Sequence, residues 1–461
     1  MLALEKGMNQ VHHILKTDDM TNIALRMLAC INRETVLHSV RTAYLSYKTV
    51  CVHPMGKGCK LENLILLALF HTIGFFREDI HFNYFPHEAK LDYFSNDKSI
   101  ESKYVFACYY LEYMTPLKSD AVALQSFLQP HNKDLRNYLY QEEYKDIIYM
   151  CARISDFVMK NKDTPLPADL NELAPGHFDS EYLDAFIQAN KDNILIQTIK
   201  NSTHIDELTQ FVSTIKFTQE ENKSLEKMLV HLLDFKSTST MKHSINTSSY
   251  ALSLGLRLHL KSKDLTILFT SAFLHDIGKI ATPQRILEFP GKLSPEDMGI
   301  MRHHVNHSKR ILSGYVPEEV LQTVYRHHEK LNGKGYPRHV EGKELTILQR
   351  ILTVADITSA LHDSRSYKDE FSKEKIISII QKMTQNGELD SQITKLVIDD
   401  FDELIKEQSV LQHMLSVDFS KVITSYNDYI LNDAGLLADS VINNDINEIE
   451  EIEELEDLEE L

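Results

Sequence analysis

Apolar positions along the chain recur at helical spacing, and alternating strand patterns are scarce, so the periodicity predicts an all-α protein. Helix ends are marked in places. Ser294-Pro295-Glu296-Asp297 supplies an N-cap, a proline at the first helical position and first-turn acids, and predicts a helix from Met298 to Leu312 that stops before Gly314. Thr218 and Glu221 form a capping box for a helix running on through Met228, Leu229 and Leu232. Residues 191–235 thus read as a helical connector. At the far end, Ile446, Ile449, Ile452, Leu455, Leu458 and Leu461 are spaced by three. Each such step turns about −60° on an α-helix, so these residues circle the axis instead of forming a stripe. The pattern predicts a disordered appendage.

The two halves of the chain share a motif. His38-Ser39 is followed by the apolar run LENLILLALF and then His71-Thr72-Ile73-Gly74, while His243-Ser244 is followed by LTILFTSAFL and then His275-Asp276-Ile277-Gly278. Asp156 in ARISD and Asp356 in TVADI close the two units. A diverged duplication accounts for these matches. It predicts two helical bundle domains, at 1–190 and 236–432, joined by the 191–235 connector, with the tail at 433–461.

Composition narrows the function classes. The chain has 461 residues and 43% hydrophobic residues, enough for substantial cores. Its net charge is −18, of which residues 445–461 contribute −10 with no basic side chain, leaving −8 for the rest. A nonspecific nucleic-acid grip is therefore disfavoured, but a local pocket for a phosphorylated ligand is not. The five cysteines are odd in number and lack a Cys-x-x-Cys pair, so neither a disulfide framework nor a zinc knuckle is expected. With no run of about 18 apolar residues and no signal-like leader, the expectation is a soluble, cytoplasmic protein without membrane contact.

Histidine is in surplus, with 22 residues. In the second half the order is His243, His275-Asp276, His304, His327-His328 and Asp356, several beside apolar neighbours such as Phe273, Leu274, Val354 and Ala355. Ionised aspartates at the edge of a core need a partner, and shared cations satisfy several groups together. Imidazoles with two carboxylates and no thiolate suit transition metals such as iron, manganese, nickel or zinc. Seven candidate ligands exceed one tetrahedral zinc, so two metals are expected, and an aspartate next to a histidine can bridge them. His303 and His307 lie on other faces of the same predicted helix. His12, His13, His231, His259, His339 and His413 are expected to be structural.

From about Met241 to Phe401 the chain resembles the HD-GYP family of phosphohydrolases, through HDIGK at 275–279, HHE at 327–329, Gly335-Tyr336-Pro337, and the downstream ALHDSRSYK. The resemblance implies an all-α fold and hydrolysis of a cyclic dinucleotide, cyclic di-GMP or 3′,3′-cyclic GMP-AMP, to a linear product by a metal-bridging hydroxide. It implies that His243, His275, Asp276, His304, His327, His328 and Asp356 hold two divalent ions, iron or manganese ahead of nickel or zinc. Asp276 would be the bridge, and Lys279 would contact the scissile phosphate. Arg365 and Lys368 match the family's basic residues at the phosphate end of the pocket, and Tyr336 would stand at its edge.

This sequence also departs from the family pattern. Ser239 stands where some members have a glutamate that supports a third metal, which favours a dinuclear site. Ser308 and Asn332 replace a usual glycine and aspartate and are expected to alter pocket shape. In the first unit, Thr72 replaces the bridging aspartate, Phe75 the lysine, and Lys103 falls near an expected histidine, leaving His38, His71, His131 and Asp156. That unit is expected to be a catalytically dead regulatory or dimerising domain, which leaves a homodimer open. The alternatives are an inactive cyclic dinucleotide sensor, or another HD-type enzyme acting on nucleotides or through a di-iron centre.

Overall fold

The computed structural model describes residues 7–434, apart from 9, 13, 53–59, 78–92, 95–97, 119, 122–123, 125–141, 162, 175–177, 179 and 364–370. Among the described residues there is no β-strand, only an isolated bridge between Asn332 and Glu341. The fold is all-α, as the periodicity predicts. The expected disorder of the tail and the candidate residues His131, Arg365 and Lys368 lie outside the described residues.

The first half contains α1 (Thr17–Ile31), α2 (Arg33–Val52), α3 (Leu61–Phe70), α4 (Lys98–Met114) and α5 (Glu142–Lys160). Then come α6 (Ser180–Ala189), α7 (Ile194–Lys200), α8 (His204–Val212) and α9 (Gln219–His231). The second half contains α10 (Thr238–Arg257), α11 (Ser262–Leu274), α12 (Gln284–Leu287), α13 (Pro295–Arg302), α14 (His304–Leu312), α15 (Glu318–Tyr325) and α16 (Ile347–His362). It closes with α17 (Lys373–Gln385), α18 (Ser391–Asp399) and α19 (Phe401–Ala434). No described helix is long and apolar enough to cross a membrane.

The two apolar runs form α3 and α11, which are hydrophobic around most of their circumference and therefore fill the centre of each bundle. Each ends at a histidine, His71 or His275, followed by a short 3₁₀ turn at Ile73–Phe76 or Ile277–Ala281. Around them the packing repeats. Helix α2 packs on α3 and α5 as α10 packs on α11 and α16, and the 3₁₀ turns pack on α4 and α14 respectively.

The register of this repeat corrects the pairing of Asp156 with Asp356. Ser155 Oγ lies 3.3 Å from Nδ1 and 3.5 Å from the carbonyl of His38, and Ser359 Oγ lies 3.0 Å and 3.4 Å from the same atoms of His243. Ser155 is thus the counterpart of Ser359, which puts Ala152 at the position of Asp356. Asp156 lies one turn further on and pairs with Lys160 at 2.9 Å.

The caps at Thr218 and Ser294 form as the sequence predicts. The helix expected to continue from Met298 to Leu312 is instead two helices that break at His303, which caps both. The halves also interlock. Helix α1 packs on the 277–281 turn and on α14, with the Arg26 guanidinium donating to the carbonyls of Arg310, Ile311 and Ser313 and covering the Tyr315 ring. In the other direction, α19 packs on α4, where Phe106 and Tyr110 meet Phe235, Phe419 and Tyr426.

Candidate metal centre

The second bundle brings seven of the predicted side chains together at one end of α11. His275 caps that helix and Asp276 opens the 3₁₀ turn, His304 begins α14, His327 and His328 follow α15, and His243 and Asp356 face one another from α10 and α16. The approach of the turn to α14 depends on a missing side chain. A Cβ on Gly278 would collide with the His304 carbonyl and the Ser308 amide. Ser308 Oγ accepts from Gly278 N–H at 2.9 Å and donates to the His275 carbonyl at 2.9 Å. The serine is therefore a buried clamp between the 3₁₀ turn and α14. Asn332 turns its loop by accepting from the Lys334 amide, and its amide nitrogen reaches the Asn386 carbonyl at 3.3 Å.

Asp276 is at the centre of the cluster and is 1% exposed. Its Oδ2 lies 3.2 Å from His275 Nε2 and 3.7 Å from His243 Nε2, while its Oδ1 lies 3.3 Å from His304 Nε2 and 4.0 Å from His327 Nε2. Asp356 completes the ring, with Oδ1 2.9 Å from His243 Nε2 and Oδ2 3.4 Å from His328 Nδ1. Two groups result: His243, His275 and Asp276, and His304, His327 and His328, each with ligand atoms within 4.8 Å of one another.

The imidazoles are oriented for ligation. Nδ1–H donates to the Ala272 carbonyl in His275 (2.7 Å), to Met301 in His304 (2.7 Å) and to Val324 in His327 (2.6 Å). A carbonyl can only accept, so in each ring the proton is on Nδ1 and the Nε2 lone pair faces inward. His275 Nε2 and Asp276 Oδ1 are buried without a hydrogen-bond partner, and the buried Asp276 Oδ2 is met only by the Lys279 ammonium. Burial without hydrogen bonds is costly for such atoms, and cations between them would remove that cost. The donor set therefore fits divalent metals.

Electrostatics agree. Burial works against the charge on Asp276, yet His275, Lys279 and His304 hold its carboxyl well below the usual carboxylate range. Asp356 is buried too, and its hydrogen bond to His243 together with His328 holds it similarly low. Burial pushes His304 down to about 4, His327 to about 3, and His328 well below its ordinary value, so all three are neutral lone-pair donors near pH 7.

Lys279 extends over the cluster, its ammonium 2.6 Å from Asp276 Oδ2 and its side chain 20% exposed. Tyr336 packs on the His328 ring at 4.6 Å, and the Arg302 guanidinium lies 5.1 Å from the centre of the Tyr336 ring. Burial and the two aspartates push the Tyr336 phenol far up, so it stays protonated.

Several functional neighbours escape a sequence reading. Glu329, fully buried after the histidine pair, accepts from the amides of Arg338 (2.5 Å), His339 (3.1 Å) and Val340 (3.2 Å), folding the Gly335-Tyr336-Pro337 loop back beside the histidines. Its place in HHE was the available signal. Asp363 and Ser359 both lie 3.0 Å from His243 Nδ1. Asp363 is seven residues after Asp356, two helical turns on, which was the one hint of a shared face.

Residues 227–393 match the family model described as HD domain. This segment is an HD domain. Over 180 residues the chain is 31% identical to 3′3′-cGAMP-specific phosphodiesterase 1 of Vibrio cholerae, covering 39% of this chain and 42% of that protein. It is 33% identical over 195 residues to phosphodiesterase 2 of the same organism, covering 41% and 36%. Over 184 residues it is 28% identical to the cyclic di-GMP phosphodiesterase response regulator RpfG of Xanthomonas campestris, covering 39% and 48%. The chain thus spans less than half the length of each of these relatives. A crystal structure of a V. cholerae cyclic GMP-AMP-specific phosphodiesterase superposes with a TM-score of 0.52, covering 84% of this chain and 98% of that chain at 16% identity. At that identity the likeness establishes fold alone, and its coverage takes in both bundles.

Proposed function

We propose that this protein is a metal-dependent phosphodiesterase that hydrolyses a cyclic dinucleotide, cyclic di-GMP or 3′,3′-cyclic GMP-AMP, to a linear dinucleotide in the cytoplasm. The observation that carries this reading is the position of Asp276, which turns one oxygen toward His243 and His275 and the other toward His304 and His327. His243, His275 and Asp356 would hold one divalent ion and His304, His327 and His328 the other, with Asp276 shared. Iron and manganese are preferred, and nickel or zinc also suit these donors. When bound, such a pair supplies Lewis acidity and activates water for attack on phosphorus.

The chain's own residues supply the remaining chemistry. The neutral imidazoles of His304, His327 and His328 add no positive charge to the cluster, and the Nδ1 hydrogen bonds of His243, His275, His304 and His327 fix those rings in place. Lys279 places an ammonium at the partly open side of Asp276, where it neutralises charge developing on a phosphoryl group and holds a proton for the departing oxygen. Tyr336 and Arg302 form a cation–π stack over His328 at the same edge, a surface for a nucleobase or phosphate. The relatives' names include both cyclic GMP-AMP and cyclic di-GMP, which supports the substrate class. The first bundle, at 1–190, is a silent copy, with Thr72, Lys103 and Ala152 at the positions of Asp276, His304 and Asp356.

The test is incubation of the metal-loaded full chain with each cyclic dinucleotide, followed by chromatography. A linear product that disappears with Asp276→Asn is expected. Binding without turnover of either substrate would overturn the assignment in favour of a sensor.

A further inference from the structure

Three of the four buried histidines in the cluster give their Nδ1 proton to a backbone carbonyl, but His243 does not. Its Nδ1 faces Asp363 Oδ2 at 3.0 Å, and Ser359 Oγ donates to that same oxygen at 2.8 Å. The other carboxylate oxygen of Asp363 accepts from Asn246 Nδ2 at 2.6 Å. Asn246 Oδ1 in turn accepts from Gln408 Nε2 at 2.5 Å, and Gln408 also donates to Gln412 Oε1 at 2.7 Å. Asn246 and Gln408 are 2% and 3% exposed, so the chain of hydrogen bonds runs through the interior from α19 to the cluster.

We propose that Asp363 is the positioning carboxylate of the metal ligand His243, and that Asn246 and Gln408 hold it there from the long C-terminal helix. The proposal rests on His243 being a ligand, as argued under Proposed function. A carboxylate behind an imidazole fixes the ring and makes its inward nitrogen a stronger donor than a carbonyl does. The silent bundle provides an internal comparison. There Ser155 keeps the contact to His38 that Ser359 makes to His243, but Met159 stands where Asp363 stands. The hydroxyl is shared by both copies, while the carboxylate occurs only in the copy with a complete ligand set. Through Gln408, the seating of α19 is coupled to one ligand of the centre, although α19 contributes no ligand itself.

The full chain, stripped of metal with a chelator, is titrated with Mn²⁺ by calorimetry and by the loss of the free-ion paramagnetic resonance signal. Asp363→Ala is expected to weaken one of the two sites by roughly 10- to 100-fold. Asp363→Asn keeps an acceptor for Nδ1–H without the charge and is expected to weaken it less, and Gln408→Leu less again. At limiting Mn²⁺ kcat falls, excess Mn²⁺ restores it, and KM for cyclic di-GMP does not move. If Asp363→Ala does not fold, Asp363→Asn carries the test. Wild-type Mn²⁺ affinity in the Asp363 variants, with the site lost in His243→Ala, overturns the positioning role and leaves the metal reading standing. Wild-type affinity in His243→Ala overturns both. A lower melting temperature with unchanged Mn²⁺ affinity marks Asp363 as merely structural and also overturns the proposal.

Discussion

Lys103 stands in the first bundle where His304 stands in the second. A Cβ built on Gly74 would collide with the backbone carbonyl of Lys103, as one on Gly278 would collide with that of His304. The backbone relationship is common to both bundles while the side chain differs, an imidazole that burial keeps neutral in one and an ammonium in the other. Lys103 is fully buried, with its ammonium 5.2 Å from the centre of the Phe75 ring, and Phe75 holds the position of Lys279. His71 keeps the same hydrogen bond as His275, Nδ1 to a carbonyl three residues back at 2.7 Å. The first bundle thus retains the imidazole scaffold around an ammonium and a ring.

Metal stoichiometry checks this directly. Plasma emission analysis of the purified chain is expected to give two transition-metal ions, and His71→Gln the same two, because neither Thr72 nor Lys103 can replace a carboxylate or imidazole donor. His275→Gln is expected to lose at least one. A fall in metal content with His71→Gln would place an ion in the first bundle.

Gly278→Ala tests how tightly the turn must approach α14. The colliding atoms are the His304 carbonyl, the Ser308 amide and the Ser308 hydroxyl, two of them backbone, so no flexible side chain can absorb the added methyl. Overpacking of this kind costs about 1–3 kcal/mol and shifts backbone. The melting temperature is expected to drop, and turnover to fall by more than stability alone explains, because Asp276 and His304 are displaced relative to one another. Gly299→Ala is the control, since its methyl meets nothing within 4 Å.

Glu329 is the hinge of the Gly335-Tyr336-Pro337 loop. Glu329→Ala leaves the amides of Arg338, His339 and Val340 without their acceptor, at about 1–3 kcal/mol for each that stays buried. A lower midpoint in urea is expected, together with a raised KM, since Tyr336 loses its support against His328. An unchanged KM in a folded variant would remove Tyr336 from the substrate edge.

The histidine–aspartate cluster is legible in the sequence because its members punctuate helices. His275-Asp276 ends an apolar run, His327-His328 precedes a glycine-rich loop, and the spacing repeats in the first half. Helical periodicity specifies which face is apolar but not which residue of a neighbouring helix it meets. That is why Asp156 was paired one turn out of register, and why Asp363, which reaches His243 across 120 residues, stayed invisible. The break at His303 had no signal either, since neither glycine nor proline marks it. Docking of α1 onto the second bundle depends on Arg26 meeting the end of α14, a contact between distant segments that no local pattern encodes.

His231 supplies a pH dependence that is separate from the metal centre. Its Nε2–H donates to the Leu415 carbonyl at 3.1 Å, its ring stacks on Phe419 at 4.6 Å, and its Nδ1 is buried without a hydrogen bond. Burial pushes the imidazole down to about 4 from an ordinary value of 6.5. The folded chain therefore keeps this ring neutral at a pH where the unfolded chain protonates it. Its contribution to stability is fully present above about pH 6.5, and is lost as the pH falls from there toward 4, because unfolding takes up a proton over that window. At pH 5 the loss is on the order of 2 kcal/mol relative to pH 7.5. His231→Gln preserves a donor for Leu415 but cannot titrate. The difference in unfolding free energy between pH 7.5 and pH 5, measured in urea on metal-free protein, is expected to be smaller in this variant by about that amount. Equal differences in wild type and variant would mean that the imidazole is already protonated in the fold at pH 5.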